Sequence, residues 1–304
     1  MKALIRKSLA RIGFEIRRVP GRSDGKSLAP YHPGARPFGE AYRQAKWKII
    51  GDAIADHSLV QRFAAAARLP RGFGIGIDER CVEYPWLFSR LSQGPERLLD
   101  AGSTFNHDPV ITSAVLENKK LFILTLAPEA NCFWRRGVSY LYADLRDVPI
   151  RDWFYDTIVC VSTLEHVGCD NRLITGNEAH REHLKDDFCL AMREMQRVLR
   201  PQGRLLLTVP YGAYRDFGVF QQFDRSLLSR AIEAFGKTVS ARETFYRYDH
   251  EGWNVATASD CAASEYVGWA AAMWQGKPVP EPWPIEPDKA VAARAVACVE
   301  LTKA

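Results

Sequence analysis

With 304 residues, 47% hydrophobic and 25% charged, the chain has the composition of a globular protein with a full core, which excludes a disordered or fibrous chain. Its net charge of +5 is unevenly placed: residues 1–50 hold twelve Lys/Arg against three acids and carry +9, so the remaining 254 residues carry −4. A body without excess positive charge or a recognition motif excludes nucleic acid as a partner. Seven scattered cysteines with no C-x-x-C pair exclude a disulfide framework and a zinc cluster, and point to a reducing, cytoplasmic setting. No run reaches the roughly 18 apolar residues of a membrane span.

Residues 2–18 place Ile5, Leu9, Ile12 and Ile16 at helical spacing among six Lys/Arg, the pattern of a basic amphipathic helix. Such a helix either packs on its own domain with a solvated basic face or lies peripherally on an anionic membrane. Residues 20–37 read as a Pro/Gly linker, and helical spacing returns between Glu40 and Arg68. The glycines of residues 72–80 lack the Lys-Ser/Thr of a phosphate loop and form a flexible lead into a short element rich in aromatics. Asp78, Glu79, Arg80 and Glu83 are a dense polar cluster that faces either a ligand mouth or solvent.

The stretch R-L-L-D-A-G-S-T-F-N (97–106) joins an apolar run, a glycine turn and a segment, Pro109–Asn118, with helical character. Strand, turn and helix start are how an open α/β sheet presents backbone N–H groups to a nucleotide-like ligand. Strands follow at Leu121–Leu126, Ser139–Tyr142 and Asp156–Ser162, the last a continuous apolar run suited to a sheet covered on both faces. A helix from about His183 to Leu199 stops at R-P-Q-G, followed by a strand at Arg204–Val209, a helix at Ser226–Phe235, a strand at Thr238–Tyr248 and a last strand at Val296–Leu301. The alternation predicts a doubly wound α/β fold.

Four of these segments, L-L-D-A-G-S (98–103), Y-A-D-L (142–145), D-T-I-V-C-V-S-T-L-E-H-V-G (156–168) and R-V-L-R-P-Q-G-R-L-L-L-T-V-P (197–210), resemble the class I S-adenosylmethionine-dependent methyltransferases, particularly their small-molecule type 11 branch. The resemblance covers roughly residues 94–212 and implies a Rossmann-like sheet, mostly parallel with an antiparallel C-terminal strand. It implies four parts: a helical extension (1–93), the core (94–248), an aromatic, proline-rich lid (249–294) and a final core strand (295–304). It implies S-adenosyl-L-methionine as cofactor, with Asp100, Ala101, Gly102, Ser103, Thr125, Asp144, Leu145 and Ser162 around it. Glu165 and His166 would point toward the sulfonium and the acceptor, with His107 just beyond the first turn.

The pattern also departs from the family. Its glycine-rich turn is D-x-G-x-G-x-G, whereas Thr104 and Asn106 stand at the second and third glycine positions. The acid that ends strand two and holds the ribose is replaced by Thr125, and Glu129 could substitute only if the loop folds back. His166 and His107 are the candidate bases, since imidazole titrates near neutral pH. Glu165, His166, Asp170, His180 and His183 match no metal motif, so no metal is expected. Trp253, Trp269, Trp274 and Trp283 either line an acceptor pocket or close a core. The favoured function is methyl transfer, O-methylation foremost, to a small-molecule or glycan-type acceptor; the alternative is a non-catalytic binding or scaffold module that has lost its cofactor contacts. An NAD-type dehydrogenase is disfavoured by the missing G-x-G-x-x-G. The oligomeric state is not encoded in any pattern.

Overall fold

A computed structural model describes residues 31–304; the basic segment 2–18, and any membrane contact it would make, lies outside them. Eight strands form one sheet in the order β3-β2-β1-β4-β5-β10-β8-β9. β1 (Arg97–Ala101), β2 (Lys120–Thr125), β3 (Ser139–Tyr142), β4 (Tyr155–Val161) and β5 (Leu199–Pro210) pair in parallel. After the two-residue pair β6 (Arg215–Asp216) and β7 (Gln221–Gln222), β8 (Thr238–Asp249), β9 (Gly252–Ala256) and β10 (Ala295–Lys303) pair antiparallel. The doubly wound sheet is the one that the strand and helix alternation predicts, and the antiparallel final strand is the one that the resemblance implies.

Alternate side chains point to opposite faces, and the sequence fills both. Leu98, Val159, Val161 and Leu206 face one layer; Leu99, Ile158, Cys160, Leu205 and Leu207 face the other. The first layer is the N-terminal extension, α1 (Glu40–Ala55), α2 (His57–Ala64) and α3 (Arg80–Phe88). Behind the opposite face lie α4 (Phe188–Val198) and α5 (Arg225–Phe235). Each fully buried Leu or Val here contributes roughly 1.5–3 kcal/mol. Among the described residues no helix is long and apolar enough to cross a membrane.

Four local expectations are corrected. The segment expected as one helix at Pro109–Asn118 is two single turns, Asp108–Ile111 and Ala114–Glu117, because Thr112 Oγ1 bonds back to the Asp108 carbonyl and Ser113 is extended. α4 starts at Phe188 rather than His183, and Asp187 gives its carboxylate to Arg146 (2.6 Å) instead of capping the helix. R-P-Q-G is a bulge within β5: the pairing with β4 jumps from Tyr155–Leu199 to Thr157–Arg204, with Gln202 in the left-handed region. The opening of the expected lid is strand β9, so Trp253 is core, 1% exposed.

The extension is tied to this distant hairpin and to the segment just before β10. Trp253 Nε1 donates to the Ile77 carbonyl (3.0 Å), Gly76 N–H donates to Tyr248 Oη (2.9 Å) and Ala293 N–H donates to Glu79 Oε2 (3.2 Å). Tyr42 Oη and Lys46 Nζ both donate to Asp78 Oδ2, at 2.9 and 3.0 Å. The loop that leads into α3 is therefore fixed at both ends.

Candidate functional site

A cavity of about 490 Å³ opens at the carboxyl ends of β1, β2, β3 and β4, where loops diverge on an open α/β sheet. Gly102 and Ser103 form its floor. Asp100 lies behind them, buried, accepting backbone N–H bonds from Thr104 (2.9 Å) and Phe105 (2.7 Å). Burial raises its carboxyl to about 7, against the pull of those bonds. Ala101 is sealed in the core. The structure thus gives these two residues the job of shaping the turn rather than facing the cavity. Gly102 has φ +118°, and a Cβ there would lie 1.9 Å from Thr163 Oγ1. Its close approach is to the end of β4.

The turn accommodates the missing glycines without strain at Thr104, because the left-handed step falls on Ser103 (φ +61°). Asn106 is 1% exposed, and its amide is fully used. Nδ2 donates to Glu129 Oε2 (2.7 Å) and the Asn131 carbonyl (3.1 Å), while Oδ1 accepts from Tyr140 Oη (2.8 Å). Glu129 also accepts from Ser103 Oγ and lies 3.5 Å from Thr125 Oγ1. The loop after β2 therefore does fold back, and a carboxylate lines the cavity beside the β1 turn.

At the end of β3, Asp144 and Leu145 line the cavity. Burial works to raise the Asp144 carboxyl, but its bonds with Arg146 outweigh this and hold it below its ordinary value. Arg146 is shared among Asp144 (2.6 Å), Glu182 (2.8 Å) and Asp187 (2.6 Å), which fixes the carboxylate in place.

After β4, Ser162 has φ +40° and donates to Glu83 Oε1 (2.6 Å). His166 lines the cavity, and its Nδ1 lies 2.7 Å from the Val219 carbonyl. A carbonyl only accepts, so Nδ1 carries the proton and Nε2 a lone pair. Burial depresses the imidazole to about 4. The ring sits 5.7 Å from both Phe220 and Trp274.

Glu165 and His107 are not brought to the cavity. Glu165 is 2% exposed and turned into the protein, with Oε2 unpartnered among the described residues and its carboxyl held well above the usual range by burial. The 3₁₀ turn Leu164–His166 sends adjacent side chains in different directions, so only one of the pair can face the ligand. His107 packs 4.9 Å from the Trp47 ring, and burial lowers its pKa. Of the four lid tryptophans only Trp274 lines the cavity; Trp269 and Trp283 pack edge to face at 5.3 Å. Sequence reasoning missed Arg146 altogether. It left Arg80 undecided between cavity and solvent, although the three-residue spacing from Arg80 to Glu83 signals a pair on one helix face.

Residues 123–207, from β2 through most of β5, match the model of the methyltransferase domain family. No curated protein matches the chain. Among solved structures the chain is similar to the 1,6-didemethyltoxoflavin-N1-methyltransferase of Burkholderia thailandensis with bound 1,6-didemethyltoxoflavin and S-adenosylhomocysteine. That likeness has 12% identity, 90% of this chain and 94% of that one covered, and a TM-score of 0.41. It is also similar to the N-methyltransferase NodS of Bradyrhizobium japonicum in complex with S-adenosylhomocysteine, at 12% identity, with 85% and 98% covered and a TM-score of 0.40. The segment from β2 to β5 thus matches a methyltransferase domain.

Proposed function

We propose that the chain transfers a methyl group from S-adenosylmethionine to a hydroxyl of a small-molecule or glycan-type acceptor. The observation that carries this reading is Glu129: a carboxylate lost from the end of β2 is returned to the cavity by the following loop and anchored on Ser103 and Asn106. A vicinal diol needs such an acceptor-only group, because each hydroxyl must donate a hydrogen bond. Asp144, held by Arg146, and the backbone at Leu145 would hold the adenine. When bound, the cofactor supplies a methyl group on a positive sulfur, ready for in-line displacement.

The chain's remaining task is to orient the acceptor and take its proton. Nε2 of His166, with its tautomer set by the Val219 carbonyl, presents a lone pair to an acceptor O–H. A base with a pKa near 4 is weak, yet the oxygen becomes far more acidic once it takes the methyl group, so Nε2 suffices to receive the proton. Trp274 offers an aromatic face beside it.

Calorimetric titration with S-adenosylhomocysteine tests the reading: one site with a Kd below about 1 mM is expected. Folded protein that gives no heat at millimolar ligand overturns it and leaves the non-catalytic module.

A further inference from the structure

Three stretches that meet around His166 are held by one turn. Between β6 and β7 three consecutive carbonyls take three partners. Phe217 accepts from Gln275 Nε2 (2.8 Å), Gly218 from the Asp170 N–H (2.9 Å) and Val219 from His166 Nδ1 (2.7 Å). Gln275 follows the helix Gly268–Trp274, and Asp170 leads into the single turn Arg172–Thr175. The β6–β7 turn therefore sets Trp274 and Ile174, which both line the cavity, in place relative to the imidazole. A second contact joins the two elements: Leu173 packs against Gly276, where a Cβ would lie 3.2 Å from Leu173 Cδ1.

Ile174 and Trp274 are large and apolar, yet 55% and 45% exposed. Apolar surface left in water at a cavity mouth gains free energy when a ligand covers it. The polar side chains that the loop after β4 sends to the same cavity are already engaged. Asn171 donates both amide hydrogens, to the carbonyls of His166 (2.9 Å) and Cys169 (3.1 Å). Thr175 Oγ1 donates to the Asn171 carbonyl (3.0 Å) and accepts from His180 Nδ1 (2.9 Å), while Glu182 accepts from Arg146 (2.8 Å). A sugar brought against this loop would lose water from several hydroxyls and find few partners in return, at a cost for each one left unpaired. A flat apolar ring loses little and covers Ile174 and the indole. His166 Nε2 fits the same class: a phenol ionises near about 10, so its proton passes to a weak base more readily than the proton of an alcohol does.

We propose that Ile174 and Trp274 select the acceptor, and that the acceptor is a phenol, its hydroxyl borne on a flat apolar ring. This rests on the methyltransferase reading and narrows its acceptor from small-molecule or glycan-type to phenolic.

Protein saturated with S-adenosylhomocysteine, titrated with 2-naphthol and with methyl glucoside, tests it. The wild type should bind the naphthol more tightly by about tenfold or more. Ile174→Ser and Trp274→Ala should each weaken naphthol binding about five- to tenfold and leave S-adenosylhomocysteine affinity unchanged. Ile174→Leu and Trp274→Phe should stay within about twofold of the wild type, which separates a lost apolar contact from a disturbed loop. Glucoside bound as tightly as naphthol, or naphthol binding that neither Ile174→Ser nor Trp274→Ala weakens, overturns the proposal. Wild type that binds no S-adenosylhomocysteine overturns the methyltransferase reading instead. The apolar site is then read from 2-naphthol on the unliganded chain, and it falls as well if Trp274→Ala leaves that binding unchanged.

Discussion

The cavity has two walls of different origin. The strand-end wall, Gly102 to Asn106 with Glu129, Asp144 and Arg146, saturates its polar groups among themselves: Asp100 on backbone N–H groups, Asn106 on three partners, Arg146 on three carboxylates. The wall added from elsewhere, Arg80 from the N-terminal extension and Trp274 from the C-terminal insertion, leaves donors and an aromatic face open to the cavity. A self-satisfied wall is rigid and carries the fold; an open wall costs stability and is retained for recognition. Substitutions in the first should therefore act mainly on folding or cofactor affinity, and substitutions in the second mainly on ligand choice.

Gly102→Ala is the severest break. A side chain at φ +118° with Thr163 Oγ1 at 1.9 Å forces β1 and β4 apart, so denaturant unfolding should show a loss of about 3 kcal/mol or more. Next comes His166→Asn, read by pH. The folded imidazole has a pKa of about 4, below the roughly 6.5 of an unfolded chain, so between these values the unfolded state binds the extra proton. Stability therefore rises with pH through that window and is lost as pH falls through it. Between pH 7 and 4.5 the wild type should lose about 2 kcal/mol more than the variant, after allowing for screening at the cavity mouth. Equal losses would show that His166 is not buried as described.

Glu129→Ala should weaken S-adenosylhomocysteine binding about tenfold while leaving the unfolding midpoint nearly unchanged, because Glu129 is exposed. An unaltered affinity would remove the ribose role and restore the loss implied by Thr125. The smallest effect on the fold belongs to Trp274→Ala. At 45% exposure it should cost under about 1 kcal/mol, yet lower kcat/KM for the acceptor about five- to tenfold without changing cofactor affinity.

The same division explains what could be read from the chain. Strands β1 to β4 and α5 announce themselves through apolar period and turn residues, and the resemblance of the segments at 98–103, 142–145 and 156–168 to known methyltransferases points to Gly102, Asp144 and His166, which line the cavity. Glu129 and Arg80 do not, because their places depend on a loop reversal and on a helix seated by contacts more than a hundred residues away. Strand β9 was hidden by the tryptophans and prolines around it, which suggest irregular chain. Glu165 shows the finest limit: adjacent to His166 in sequence, it is buried and does not line the cavity that His166 lines, and no spacing rule separates residues one apart in a tight turn.

The tether between residues 76–79 and the strands at 248–253 carries a consequence for the order of folding. Ile77 waits for Trp253, Gly76 for Tyr248 and Glu79 for Ala293, so Arg80 cannot take its place until about two hundred further residues have been made and paired. Closing so long a loop is slow and entropically costly. The strand-end wall can assemble from residues 97–210 as they emerge, while the open wall completes last, so recognition arises only in the finished chain.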